Sequence, residues 1–280
     1  MVSRMTSALV RALLMALLIA LPSLVLPGVA ADTAQIVVLL ALLGSLMTFV
    51  EYYSQYPSII EFRFAPPFNR LRFVALFTTV LLLSLICAGK DAPTEVTRIL
   101  TGLGMLLGNA IDFPYSPVRL VVLMMPSDAS PELITAVRTA AGISYMISLI
   151  ALFVFVTLVR VFGWPARNGA FNVWINLPLF DPTAGGDVLP RLKRDAGINI
   201  VLGILLPFLI PAVVKAASDL LDPISMENPQ TLIWTMSAWA FLPASMIMRG
   251  IAMGRVADMI EEKRLRAYAK AKEEGLVVTS

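Results

Sequence analysis

The sequence predicts an all-α polytopic integral membrane protein with about six transmembrane helices and both termini in the cytoplasm. Three observations support this fold class: the composition, a set of long apolar runs, and the uneven distribution of Lys and Arg. The 280 residues are 58% hydrophobic and only 15% charged, whereas soluble domains contain about 25% charged residues. A shortfall of this size is expected of a chain that has much of its length in lipid.

Six runs reach or approach the length of about 20 mostly apolar residues that a bilayer-spanning helix needs. None of the six contains Asp, Glu, Lys or Arg. One such run could be a buried helix of a soluble protein, but six in one short chain favour membrane spans. The runs are residues 12–31, 33–50, 73–89, 139–159, 196–214 and 231–248.

The basic residues give the orientation, because loops on the cytoplasmic side of a membrane carry an excess of Lys and Arg. With the N-terminus inside and six crossings, 17 of the 22 Lys and Arg residues fall on inner segments. The reverse orientation would place most of them outside. We therefore predict cytoplasmic termini and a bacterial-type inner membrane, with a transmembrane bundle over residues 1–248 and a cytoplasmic amphipathic helix and tail over residues 249–280.

Residues 1–31 have a second interpretation. They combine a basic start, an apolar stretch and small residues near the end, which is also the pattern of a cleaved signal peptide. The sequence leaves open whether this segment is removed or forms the first transmembrane helix. Cleavage would not change the orientation of the other five spans.

The first inner loop, EYYSQYPSIIEFRFAPPFNRLRF at residues 51–73, holds seven aromatic residues and three prolines. Aromatic rings favour the boundary between lipid and water, and proline disfavours a regular helix. We predict a loop that lies along the inner interface, with Arg63, Arg70 and Arg72 facing anionic lipid. The alternative is a docking surface for a partner or a lipid headgroup.

The second inner loop, residues 160–195, repeats this mixture of aromatic residues, proline and arginine. Its candidate lipid or partner contacts are Trp164, Trp174, Arg191, Lys193 and Arg194. The stretch DPTAGGD at residues 181–187 lacks the spacing of a P-loop or an EF-hand, so a tight turn is favoured there. The loops share composition without an internal repeat.

The outer connection at residues 90–138 contains a Gly-rich apolar run, residues 99–111, that is too short to span. Together with residues 117–126 it predicts either an interfacial flap or a re-entrant pair. In the re-entrant alternative, Gly104, Gly108, Asn109 and Asp112 would line a pore. The sequence Ser130-Pro131-Glu132 is typical of a helix start, so the fourth span is expected to begin there.

The last two spans carry two further signals. Pro207 and Pro211 remove backbone hydrogen bonds from the fifth span and favour a kink. Gly250 and Gly254 lie four residues apart at the inner end of the sixth span, a spacing that permits close helix contact.

The composition also excludes several kinds of chemistry. The chain contains no His and a single Cys, Cys87, so catalytic triads that need His are excluded and metal sites built on His and Cys are not expected. We predict no catalytic residue, no cofactor and no metal site, and no nucleic-acid binding. The charge-free spans count against a proton- or sodium-coupled pump.

These observations lead to three functional hypotheses, with membrane lipid and either a protein partner or a second copy of the chain as expected partners. The first is a non-enzymatic accessory, assembly or scaffold component of a membrane complex. The second is a transporter or channel for a small neutral or weakly polar solute. The third is a lipid-modifying enzyme that uses Asp181, Asp187 and the loop arginines.

Overall fold

The computed structural model is all-helical over the residues that it describes, which are 2–56, 58–165, 172–180, 185–217 and 225–273. The predicted fold class is confirmed, since six of its helices are long and apolar enough to cross a membrane. The helices are α1 Val2–Val25, α2 Ala31–Tyr53, α3 Phe68–Ala88, α4 Glu95–Ile111, α5 Pro117–Leu123, α6 Pro131–Arg160, α7 Val173–Asn176, α8 Val188–Ala217 and α9 Pro229–Glu273.

The six long helices α1, α2, α3, α6, α8 and α9 alternate in direction. One end of the bundle, here the loop end, holds the start of α1, the α2–α3 loop and the connection from α6 to α8. The opposite end, here the α4 end, holds α4, α5 and the starts of α6 and α9. The start of α1 and the last turns of α9 therefore lie at the same end, as an even number of spans requires.

Helices α6 and α9 form the centre of the bundle, and α8 packs along α9. Close approach between α8 and α9 depends on two glycines. A Cβ atom at Gly250 would lie 2.6 Å from the carbonyl oxygen of Ala196, and one at Gly203 would lie 2.7 Å from that of Pro243. The small-residue face predicted at Gly250 is thus used between two helices of the same chain.

Helix α2 is peripheral, because among the described helices it packs against α1 alone. Ala8, Ala12 and Leu18 of α1 are buried, and the Ser23 hydroxyl is 2.9 Å from the Gln230 side-chain nitrogen at the start of α9. Cleavage after residue 31 would remove this helix and leave α2 without its neighbour.

The outer connection folds into two helices. Thr94 caps α4 by accepting a hydrogen bond from the Thr97 N–H at 3.2 Å, so the helix begins four residues before the apolar run. Helix α5 packs its buried valines against α6 and α8. The fourth span begins as predicted, with the Ser130 hydroxyl 3.1 Å from the Leu133 N–H.

Helix α8 continues through both prolines of the fifth span as one helix. Pro211 has no N–H to donate to the carbonyl of Pro207, four residues earlier. The indole N–H of Trp239, in α9, donates to that carbonyl at 3.2 Å. Since Trp239 is buried, the interhelical bond replaces the missing helical one in a region without water.

Trp239→Phe is expected to destabilise the protein by about 1–2 kcal/mol through the orphaned Pro207 carbonyl, in addition to the loss of packing. In a Pro211→Ala background, the new N–H can bond to that carbonyl, so the same change should cost less. The measurement is thermal unfolding of the four proteins in one detergent. An equal cost of Trp239→Phe in both backgrounds would contradict this account.

Candidate functional site

The two aromatic loops meet at the loop end and fold as one unit. We call the described residues of 54–67 and 161–187 the loop layer. It packs on an aromatic cluster to which α3 adds Phe68 and α6 adds Phe155. Ring centroids lie 4.6 Å apart between Phe62 and Phe68 and 5.3 Å apart between Phe155 and Trp164, and all four side chains are buried. Phe62 and Phe68 therefore belong to a structural core, whereas the sequence predicted that they rest in the membrane interface.

Hydrogen bonds from both loops fix this arrangement. The Phe62 N–H donates to the Asn176 carbonyl at 2.6 Å, and the Phe64 N–H donates to the Asn176 side-chain oxygen at 3.1 Å. The Trp164 indole N–H donates to the Ala65 carbonyl at 3.2 Å. The two loops therefore satisfy each other's polar groups, as buried backbone requires.

Glu51, at the end of α2, organises the first loop. Its carboxylate accepts the N–H groups of Ser58, Ile59 and Ile60 at 2.6, 2.8 and 2.9 Å. Three N–H groups that converge on one carboxylate hold the turn tightly, because bonds to an ionised acceptor are about twice as strong as neutral ones.

Arg63 closes the C-terminal end of α2. Its guanidinium donates to the carbonyls of Glu51, Ser54 and Gln55, with distances of 3.0 and 3.2 Å to the latter two. Helix C-termini leave carbonyls without partners and favour a cation there. The Arg63 guanidinium therefore binds backbone carbonyls of its own chain, whether or not it also contacts lipid.

A buried ion pair joins the first loop to α9. Both carboxylate oxygens of Glu61 are engaged by Arg249, with Nε at 2.6 Å and Nη2 at 2.8 Å. The Glu61 side chain is 7% exposed and that of Arg249 is 28% exposed. This bidentate geometry fixes both distance and orientation, so α9 is tied to the loop layer just beyond the apolar run.

Two exposed ion pairs hold α9 against the start of α8. Lys193 lies 2.8 Å from Glu261, and both carboxylate oxygens of Asp187 bond to Arg264 at 2.8 and 2.9 Å. The Arg264 guanidinium holds the pKa of Asp187 at about 2. Asp187, a candidate of the lipid-enzyme hypothesis, is thus committed to a structural contact.

The remaining candidates of the loop end are less constrained. Arg70 is exposed, Arg194 lies 3.5 Å from Asp195, and the Arg191 guanidinium lies 4.9 Å from the Phe180 ring centroid. The side chain of Trp174 and all of Asp181 fall outside the described residues. The lipid or partner role of these residues stays a prediction.

At the α4 end, two of the four pore candidates pack helices together. A Cβ atom at Gly104 would lie 2.6 Å from the Ile143 side chain, and one at Gly108 would lie 2.8 Å from the Arg138 carbonyl oxygen of α6. Asp112 is 2.7 Å from Arg138 and 3.4 Å from Arg119. Asn109 is exposed. The pore role of all four stays a prediction.

A cavity of about 670 Å³ opens between α3, α4 and α6 at the α4 end. Small-molecule sites commonly enclose about 300–1,000 Å³. The wall is mainly apolar, with hydroxyl groups from Thr97, Thr101, Thr135 and Thr139 and charged side chains from Lys90, Arg98 and Glu132. None of the four pore candidates lines this cavity.

Three structural anchors were absent from our predictions: Glu51, Glu61 and Asn176. Each is a polar residue within a loop or at a helix end, and each is buried. A usable signal existed for the two glutamates, since acidic residues are unusual in an arginine-rich interfacial loop. Asn176 carried no comparable signal.

The comparisons with known proteins identify no relative: no family model, no curated protein and no solved structure matches the chain. Within the described residues, no group of three or more Asp, Glu or Cys side chains is placed to hold a metal ion. The candidate site therefore rests on the geometry of the loop end.

Glu61→Ala is expected to cost about 2–3 kcal/mol, because it leaves the partly buried Arg249 guanidinium without its bidentate partner. Arg249→Ala should cost a similar amount, and the double variant should cost less than the sum. Glu95→Ala is the matched control, since its pair with Arg98 is largely exposed and should contribute below about 0.5 kcal/mol. Additive costs in unfolding experiments would contradict the pairing.

Asp187 should make the contact between Arg264 and the start of α8 dependent on pH. A carboxylate with a lowered pKa stabilises the fold above its unfolded pKa of about 4. That contribution is lost as the pH falls through about 2, the pKa of Asp187 in the folded protein. A spin label on Tyr268→Cys, in a Cys87→Ser background, should become more mobile over this range. In the Asp187→Asn variant, the spin label should already be mobile at neutral pH. If its mobility changed with pH as in the wild-type protein, the assignment to Asp187 would be contradicted.

Proposed function

We propose that the protein is a non-enzymatic accessory or scaffold component of a membrane complex, and that the loop end presents a docking surface to a protein partner. The observation that carries this proposal is the extension of α9 beyond the bundle. Residues 262–270 are all exposed although they continue the same helix. The 12 residues from Glu262 to Glu273 correspond to about 18 Å at 1.5 Å per residue.

The exposed part of α9 has the side chains of a helical binding surface. Leu265 and Tyr268 are 64% and 60% exposed and lie three residues apart, so they share one face of the helix. Partner helices commonly recognise apolar residues at this spacing. The charged residues around Leu265 and Tyr268 make the rest of this exposed segment hydrophilic.

The loop layer adds a second apolar surface beside this helix. Tyr56, Ile59, Phe64, Phe162 and Leu179 are each more than half exposed, although the core beneath them is tightly bonded. Exposed apolar groups on a rigid framework are typical of interaction sites, because little ordering entropy is lost on binding. The excess of basic residues at this end supports placing it on the cytoplasmic side of a bacterial-type inner membrane.

The test is purification of the tagged full-length protein from its native membrane in a mild detergent, followed by mass analysis of the complex. Leu265→Ser with Tyr268→Ser should lose a stoichiometric partner while the bundle stays folded. Lys270→Ser with Lys272→Ser is the matched control on the same helix and should retain it. A wild-type protein that purifies alone would overturn the proposal.

A second candidate function, transport of a small neutral or weakly polar solute, is favoured by the cavity at the α4 end. Its volume and threonine-containing wall suit a solute with a few hydrogen-bonding groups. Thr101→Trp should fill the cavity and reduce flux in proteoliposomes, whereas Thr157→Trp on the exposed side of α6 should not. Equal flux in both variants would reject this candidate.

A further inference from the structure

Arg72 stands out at the loop end because its hydrogen-bonding capacity is largely unused. A guanidinium has five N–H donors. Within the described residues, Arg72 makes one hydrogen bond, a long one of 3.4 Å from Nη1 to the Asn69 side-chain oxygen, and its Nε is buried without an acceptor. Buried donors in native proteins almost always have a partner, and an exception points to a missing water or ion.

The two buried carboxylates of the loop end already have other partners. Glu61 interacts electrostatically with Arg72, but both of its carboxylate oxygens accept hydrogen bonds from Arg249. The Glu51 carboxylate accepts the backbone N–H groups of residues 58–60. The Arg72 guanidinium lies instead 5.3 Å from the Phe68 ring centroid and 5.9 Å from that of Phe241. Aromatic faces attract a cation but satisfy few of its N–H groups.

Two further arginines bring positive charge to the same place. The Arg11 guanidinium lies 4.5 Å from the Tyr52 ring centroid, and the charges of Arg11, Arg63 and Arg72 all act on the Tyr52 side chain. The Nε of Arg63 is also buried without an acceptor in the described part of the chain. Glu51 also acts on Tyr52, so three positive charges and one negative charge surround this side chain, and an anion would offset the excess.

The position of this cluster selects the kind of anion. Arg72 directly precedes the charge-free run of residues 73–89, which is the depth at which lipid phosphates lie. Access from the side is compatible with the packing, because α2 does not pack against α3 or α9 in the described residues. Arginine binds phosphate with two parallel N–H bonds.

We propose that Arg72, Arg11 and the Tyr52 hydroxyl, with the charge of Arg63, form a binding site for a phosphate-ester anion at the loop end. The phosphate would accept from the unused Arg72 donors and the Tyr52 hydroxyl, and it would neutralise the cluster. The same chemistry fits an anionic lipid headgroup that enters between α2 and α3, or a free phosphate from the aqueous side. This site is independent of the proposed partner surface on α9.

The experiment compares thermal stability and lipid binding of the full-length protein in nanodiscs of phosphatidylcholine with and without phosphatidylglycerol. Arg72→Gln should weaken phosphatidylglycerol binding by about tenfold or more. Arg160→Gln, at the loop end of α6 and exposed, should stay within about twofold of wild type. Inorganic phosphate, added to the protein in phosphatidylcholine alone, distinguishes the two sources.

Stabilisation by phosphatidylglycerol but not by phosphate would identify a headgroup site, and stabilisation by both would identify a site for free phosphate as well. A purely structural Arg72 would make Arg72→Gln equally unstable with and without the anion, which would overturn the proposal. Equal losses in Arg160→Gln and Arg72→Gln would also overturn it, by showing general attraction to the surface. If Arg72→Gln does not fold, Arg11→Gln replaces it, with the same expected loss of binding.

Discussion

A polar group that lies where water cannot reach must find a partner within the protein, and most of the unusual features of this chain follow from that requirement. At the end of α2, Arg63 binds the carbonyls that the helix leaves open, and Glu51 binds the N–H groups of the turn that follows. In the middle of the bundle, Trp239 binds the carbonyl that Pro211 leaves unpaired. Each case pairs a break in regular structure with one side chain placed to compensate for it.

The same requirement explains why the two loops at the loop end fold against each other. Each contains proline and lacks a long regular element, so each exposes backbone groups that a membrane interface satisfies poorly. Asn176 and Trp164 of the second loop bind the backbone of the first, and the aromatic rings fill the space between them. The result is a fixed surface on which the outward-facing apolar and basic side chains hold constant positions. Such preorganisation favours recognition of a partner or a lipid.

The sequence was sufficient to predict the six spans, because charge-free apolar runs of this length are typical of membrane-spanning helices. Helix ends were predicted less well. Helix α1 begins at Val2 and α8 begins at Val188, each several residues before its apolar run, since a helix continues into the interface where charged residues are tolerated. The partners of the loop residues were not predictable: Glu61 stands out as an acidic residue among arginines, but Arg249 lies 188 positions away. The pairing depends on the bundle having formed.

The two loops form one hydrogen-bonded layer on which the rest of the loop end depends. Amide hydrogen exchange of the full-length protein in nanodiscs tests this directly, by following peptides that cover residues 58–68 and 172–180. Slow exchange is expected in both peptides, with faster exchange at residues 58–68 when Asn176 is replaced by Ala. Exchange of both loops at the rate of an unstructured chain in the wild-type protein would contradict it.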